Sequence, residues 1–429
     1  MGGLKAGAAK VDITPDYPVW LGGNPRDRKS EGVHDPILAR ALALEAPEGP
    51  FALLSLDLCV IPDDMAHAAR ELIAERAGIP CERQVIACGH IHSAPSVHGS
   101  FCPRESGYVE WLLPQLADVT KQAREAAAPA RVGCDSGEEF TISEYRRFWL
   151  KDGRIAMNWD SFTPEEVIGP AGVMDPEVGV VRINALNGET IAVIYNHAGH
   201  PNTPPGTWFQ ISADYPGYAS SMIERELGGI AIFTNGAQGS VDVPAFRERD
   251  WDGMARKGDW LAREVLAVAR RIVPSNEALS VARAQFSVGM RKIPPEYLDW
   301  CRSVLAKPSK PRTIRDGVDD AIYARMCVNL VNMGRSSFKV EMTGFRIGDA
   351  AFVTFPGELF TEIGRRIKTH RGGKRTFIVD VANGYLGYVP TRRAICEGGY
   401  ESRPGTGSRL EEGAEDIIVD QAVRLLDRL

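Results

Sequence analysis

The chain has 429 residues, 44% of them hydrophobic and 25% charged, and a formal net charge of -6 at pH 7, the proportions of an ordinary globular protein with room for one large domain or two to three ordinary ones. This acidic balance excludes a basic nucleic-acid-binding surface; no apolar run approaches a membrane span and Met1 to Lys10 hold no signal-peptide core, so a cytoplasmic protein without stable membrane insertion is expected. The eight cysteines are dispersed without a C-x-x-C pair, which fits reduced, mostly buried thiols.

In chain order, Val11-Asp12-Ile13-Thr14-Pro15 reads as a short strand ending in a turn, and a loop rich in Gly, Pro and charge follows through Asp35. Phe51 to Leu58 is an apolar run of a buried strand. Asp63 or Asp64 after Pro62 is placed to cap a helix with the apolar face Met65, Ala69, Leu72, Ile73, closing at Gly78. A second strand, Gln84 to Cys88, delivers Gly89-His90-Ile91-His92-Ser93-Ala94-Pro95. In an extended chain residues i and i+2 point to one side, so His90 and His92 are expected to face one pocket together. Five of the eight histidines fall in two windows, this one with His98 and another with His197 and His200.

Asp135 to Asp160 reads as strands and turns around Arg146 and Arg147. The strand-helix-strand plan then recurs: Ile191 to Tyr195, a helix from about Asp214 with Tyr215, Ala219, Met222, Ile223 and Leu227 on one side, and Ile230 to Thr234 ending in Asn235-Gly236-Ala237-Gln238-Gly239-Ser240. Ser287 to Met333 mixes an amphipathic helix with a solvated Pro- and Lys-rich loop at Lys307 to Arg315. A third cassette comprises the strand Ala351 to Phe355, Glu358, a helix marked by Leu359, Ile363 and Ile367, and the strand Phe377 to Val381 before Asn383-Gly384-Tyr385-Leu386-Gly387-Tyr388. Ile418, Ala422, Leu425 and Leu429 space out a closing helix.

Each cassette puts its polar and glycine-rich residues just past a strand's carboxyl end. If the paired strands are parallel, those ends open on one edge of a sheet, where ligands bind in open α/β folds, and three cassettes pool their residues at one site. The expectation is an α/β fold of mixed sheets with flanking helices and catalytic loops at strand carboxyl ends, one domain over residues 1–429. Ordinary turn chemistry accounts equally for glycines and asparagines at such places.

The candidates that result are His90, His92, His200, Glu358 and Tyr388. Neutral imidazole is the commonest metal ligand among side chains, and Zn²⁺ is usually held by a few His, Cys, Asp or Glu groups from separate parts of a fold. Two imidazoles and a carboxylate leave zinc an open position at which water ionises near pH ~7. Each residue also has a plainer reading. Glu358 suits a helix N-terminus, Tyr388 and Tyr400 suit packing with a bonded hydroxyl, and Ser240 after Gly239 suits the end of a turn. Asp12, Asp57 and Asp214 either orient imidazoles or are strand-end and N-cap acids. His197, three residues before His200, is the competing imidazole; Pro201 favours His200.

These residues bring a resemblance into view. Val11 to Pro15, the H-x-H-S-x-P of His90 to Pro95, Asn196 to Pro201, Asp214 to Ala219, Asn235 to Ser240, Pro356-Gly357-Glu358 and Gly387 to Thr391 stand in the order in which similar fragments occur in the neutral/alkaline, non-lysosomal ceramidase family, which the chain resembles over most of its length. The resemblance implies Zn²⁺ held by His90, His200, Glu358 and Tyr388, with His92 as a second pocket imidazole. It implies Tyr400 near the reacting carbonyl and Ser240 at the place of a serine once proposed as nucleophile. It further implies hydrolysis of an N-acyl amide bond in a small-molecule or lipid-like substrate, by a catalytic domain without the β-sandwich domain that secreted members carry. Val241-Asp242 stands where ceramidases have Pro-Asn. Two rival readings are a (β/α)₈-barrel amidohydrolase, for which no suitable lysine follows the H-x-H, and a non-catalytic scaffold stabilised by a metal.

Overall fold

The computed structural model describes residues 3–24, 28–204, 208–244, 248–307, 314–315, 317–370 and 375–429, and the loop expected at Lys307 to Arg315 falls mostly outside them. β1 (Lys5–Asp12), β2 (Leu38–Ala46), β3 (Gly49–Leu56), β4 (Gln84–Cys88), β5 (Ala128–Glu138), β6 (Glu177–Ala185), β7 (Thr190–His197) and β8 (Ile230–Asn235) form an eight-stranded sheet in the order β8-β7-β6-β5-β1-β2-β3-β4. β9 (Leu279–Gly289), β10 (Ser337–Ile347), β11 (Ala350–Thr354) and β12 (Arg375–Val379) form a four-stranded sheet in sequence order. The helices are α1 (Asp63–Ala77), α2 (Ser106–Glu125), α3 (Asp214–Leu227), α4 (Trp251–Arg271), α5 (Pro295–Ala306), α6 (Asp320–Asn332), α7 (Thr361–Thr369), α8 (Arg392–Glu397) and α9 (Ala414–Leu426).

Strands that are apolar on both faces demand cover on both, and the packing supplies it in four layers. Leu42, Phe51, Leu53, Ile194 and Ile232 of the large sheet meet Phe345, Phe352 and Phe377 of the small one. On the large sheet's other face, Ala41, Leu54 and Leu56 pack on Ala69, Ile73, Leu112 and Leu116 of α1 and α2. Further along that face, Val193, Tyr195 and Phe233 pack on α3 and α4. Val340, Met342, Val353 and Ile378 bury the small sheet's outer face against α7 and α9. Each fully buried Leu, Ile or Phe contributes ~1.5–3 kcal/mol, so an alternate register would forfeit many such terms at once.

The condition left open by the sequence is met in all three cassettes, whose strands pair parallel: β3 with β4 around α1, β7 with β8 around α3, and β11 with β12 around α7. They do not share one sheet edge, because β4 and β8 terminate opposite ends of the large sheet and the third pair lies in the small one. Sheet twist brings the edges back together. Ser55 Oγ donates to Phe233 O at 2.6 Å, and Asn235 Nδ2 donates to Gly89 O at 3.2 Å. The small sheet joins them through Cys88 N to Val381 O at 3.1 Å and Asp380 N to Asn235 O at 2.9 Å.

Local details differ from expectation in two places. α1 has Pro62 at its N-cap with no side-chain capping bond, because Asp63 turns outward to accept Tyr385 N–H at 3.0 Å; its end at Gly78, φ 64°, is as read. Leu359 lies in a two-residue strand ahead of α7. The two mixed sheets set aside a (β/α)₈ barrel, which needs eight parallel strands. Among the described residues no helix is long and apolar enough to cross a membrane.

Candidate metal centre

His90 follows β4 but is not extended: its φ is 66°, a left-handed conformation costing a non-glycine residue ~1–3 kcal/mol. The strain is held in place because Gly89 N donates to Leu56 O at 2.9 Å and Ile91 N to Leu58 O at 3.1 Å. The two imidazoles still converge, with Nε2 of His92 3.2 Å from Nε2 of His90, although by a turn of the chain and not by strand alternation. His90 Nδ1 lies 2.9 Å from Cys59 O. A carbonyl only accepts, so Nδ1 carries the proton and Nε2 presents its lone pair to the centre.

His200 arrives from the end of β7. Asn235, closing β8, clamps its approach by donating to Gly199 O at 2.7 Å and accepting Gly199 N–H at 3.2 Å. His90 Nε2 and His200 Nε2 are 3.2 Å apart. Glu358 reaches the same point from the third cassette, its Oε2 3.3 Å from His90 Nε2. The strand Glu358–Leu359 pairs parallel with Tyr388–Val389, which sets Glu358 directly beside Tyr388. Gly239 admits this strand: a Cβ there would sit 2.5 Å from Glu358 O.

Ligand atoms of His90, His200 and Glu358 all lie within 4.8 Å of one another, and all three residues are buried. Burial pushes the His90 imidazole down against the pull of Glu358, and pushes His92 and His200 well down, with His90 and Arg146 adding repulsion at both. Three neutral rings beside a carboxylate is the donor chemistry a divalent transition metal takes up. Tyr388 stands alongside, its ring 5.1 Å from the Arg146 guanidinium and 5.6 Å from the Tyr400 ring. Burial raises the Tyr388 hydroxyl well above its ordinary value and Glu358 raises it further, while Arg146 pulls it back.

The structure therefore gathers His90, His92, His200, Glu358, Tyr388 and Tyr400. It leaves Ser240 outside: this hydroxyl is fully buried behind Glu358, accepting Thr361 N–H at 2.9 Å and lying 2.8 Å from Thr361 Oγ1. His197 points away from the cluster, its Nδ1 3.3 Å from Glu177 O. Nor do the three aspartates orient an imidazole. Asp12 accepts Thr14 N–H, Asp57 pairs with Arg40 at 2.8 Å, and Asp214 accepts Thr203 and Tyr215 N–H.

Sequence reading missed the groups behind the front row. Tyr385 donates its hydroxyl to Glu358 Oε1 at 2.5 Å, and Gln238 Nε2 donates to Glu358 Oε2 at 3.2 Å. Arg146 Nη1 is 3.4 Å from His200 Nδ1, and Glu401 holds both Arg146 Nε at 2.7 Å and Arg147 Nη1 at 3.0 Å. The tandem arginines were the available signal, since two adjacent cations between short strands need a buried acid or solvent. Tyr385 offered none.

Two chambers meet at the cluster, sharing Gly23, His92, Tyr388 and Tyr400 as walls. One is lined by Val60, Val97, Phe101, Cys102 and Met326, with Ser96 and His98 among its polar groups. The other is lined by Asn24, Trp159, Asn202, Asp242 and Arg249.

No protein-family model matches the chain. Neutral ceramidase B of Dictyostelium discoideum is 25% identical over 209 residues, which is 46% of this chain and 28% of that protein, so the match spans well under half the length of that relative. The crystal structure of neutral ceramidase from Pseudomonas aeruginosa superposes over 100% of this chain and 75% of its own, with a TM-score of 0.73 at 18% identity. A ceramidase complexed with C2 gives the same TM-score of 0.73 at 18% identity, covering 100% of this chain and 76% of its own. The chain thus has the fold of those ceramidases, and the resemblance read from its motifs extends to mixed α/β sheets with flanking helices.

Proposed function

We propose that this protein is a zinc-dependent hydrolase that cleaves the amide bond of an N-acyl compound with water, and that His90, His200, Glu358 and Tyr388 hold the metal. The observation that carries the reading is the convergence of two neutral imidazoles and a carboxylate within 4.8 Å where an apolar and a polar chamber join. Similarity to proteins named neutral ceramidase supports the bond type. Bound zinc would polarise the acyl oxygen and lower the pK of water toward neutrality.

The chain's own groups serve the rest. Tyr385 and Gln238 occupy both carboxylate oxygens of Glu358, fixing its orientation. Tyr400, at the junction of the chambers, has a hydroxyl that burial keeps protonated, suited to donate to the oxyanion that develops on the acyl oxygen. His92 lines both chambers, and an imidazole at their junction is suited to relay a proton to the departing nitrogen. The acyl C–N bond breaks, the water oxygen joins the acyl carbon, and both water protons end on nitrogen, giving a carboxylate and an ammonium.

Zinc content and amine release from N-acyl compounds test this directly. His90→Ala and His200→Ala are expected to abolish stoichiometric zinc and lower turnover by at least ~10³-fold. Unchanged metal content in either variant would sink the proposal. A tightly bound metal with no turnover of any acyl amide or ester would favour the scaffold reading.

A further inference from the structure

The polar chamber has chemistry that a wholly hydrocarbon amine arm does not need. Asp242 is 1% exposed and its Oδ1 accepts Val243 N–H at 2.7 Å, yet among the described residues Oδ2 receives no hydrogen bond. Arg249 Nη2 stands 3.5 Å from Oδ2, too far for a charge-assisted bond, which closes at ~2.7–2.9 Å. Arg249 is itself partly exposed, and among the described residues only its Nη2 donates, to Val243 O at 2.9 Å. Arg249 lines the polar chamber, and a guanidinium fork matches a carboxylate bidentately. Asn24 adds a buried amide nitrogen without a partner among the described residues.

A buried carboxylate oxygen without a donor and a guanidinium with spare donors, side by side, leave hydrogen-bonding capacity unused until a ligand supplies the complement. The complement is a group with an N–H and a carboxylate close together. The other chamber, walled by Val60, Val97, Phe101 and Met326, is the one suited to a hydrocarbon chain.

We propose that the amine arm of the substrate is short and carries a carboxylate, so that the enzyme hydrolyses single-chain N-acyl amino acids. The acyl chain lies along Val60 and Phe101, the carboxylate on Arg249, and the nitrogen beside Asp242 Oδ2. This rests on the amide-hydrolase reading. Hydrolysis converts the nitrogen to an ammonium beside the carboxylate, and the product is a zwitterion matched to the Asp242 and Arg249 pair.

Two N-lauroyl compounds of equal chain length separate the possibilities: N-lauroylglycine with its carboxylate, and neutral N-lauroylethanolamine. The expected kcat/KM is at least tenfold higher for N-lauroylglycine. Arg249→Gln should erase that preference mainly through KM, and Arg249→Lys should restore part of it. Calorimetric titration of zinc-stripped protein with N-lauroylglycine gives a readout free of turnover, where Arg249→Gln should weaken binding at least tenfold relative to N-lauroylethanolamine. Equal rates and equal affinities for the two compounds, unmoved by Arg249→Gln, overturn this proposal while leaving the hydrolase reading in place. Arg249-dependent binding without amine release from either compound instead removes the hydrolase reading and retains the carboxylate site.

Discussion

Glu358 reaches the centre with both oxygens already committed, one to the Tyr385 hydroxyl and one to Gln238. Such outer partners typically govern metal affinity by 10–100-fold, so Tyr385→Phe is expected to weaken zinc binding by about that factor with little loss of stability, measured by competition against a chelator. Ser240 has the opposite character. Its hydroxyl is spent on Thr361 at the start of α7, and Ser240→Ala should cost about 1–2 kcal/mol in a urea titration. Mass spectrometry of enzyme quenched during turnover should find no acyl group on Ser240; an acyl-serine there would overturn the water-based mechanism. Neither residue's role is written in local sequence, because a serine after glycine and a tyrosine after a turn are common whatever lies opposite them.

At the scale of elements, the paired strands Glu358–Leu359 and Tyr388–Val389 fix two proposed ligands in one register. The segment around Arg146 and Arg147 is tied to the Tyr400 turn by one buried acid, Glu401, which is 1% exposed. Removing one partner of a buried ion pair strands the others in a low dielectric at ~3–5 kcal/mol. Glu401→Gln is therefore expected to lower stability by about that much and to reduce turnover, since Tyr400 adjoins Glu401 and Arg146 faces both Tyr388 and Tyr400. A thermal melt beside an activity assay reads both effects. The strand-helix-strand cassettes were legible because apolar runs bounded by glycine and proline carry their own period. The Arg–Glu–Arg bridge was not, since its partners lie more than 250 residues apart.

Across the whole molecule the layers are joined at their rims as well as through the core. Lys368 on α7, which covers the small sheet, reaches Asp175 at 2.6 Å and Glu177 at 2.9 Å beside β6 of the large one. Burial pushes the Asp175 carboxyl up, but the Lys368 ammonium more than reverses this and leaves it below its ordinary 3.8. The folded state thus binds the Asp175 proton more weakly than the unfolded chain. Its stabilisation is present above the ordinary value and is lost as pH falls through the depressed one. Lys368→Met should cost about 1.5–3 kcal/mol at pH 7, and the gap from the parent should narrow below pH ~4, as followed by urea midpoints.

Apolar periodicity and turn residues determined the cassettes and the placement of polar residues past the strand ends, because these depend on neighbours within a few positions. The H-x-H and G-H-P windows likewise marked His90, His92 and His200 in advance. Only the tertiary structure decided that the three strand pairs occupy two sheets, that Ser240 faces Thr361, and that Tyr385, Gln238 and Arg146 surround the front row. The coiling of an eight-stranded sheet onto a second one sums many small twists and contacts between distant residues, and no local stretch of chain encodes that sum.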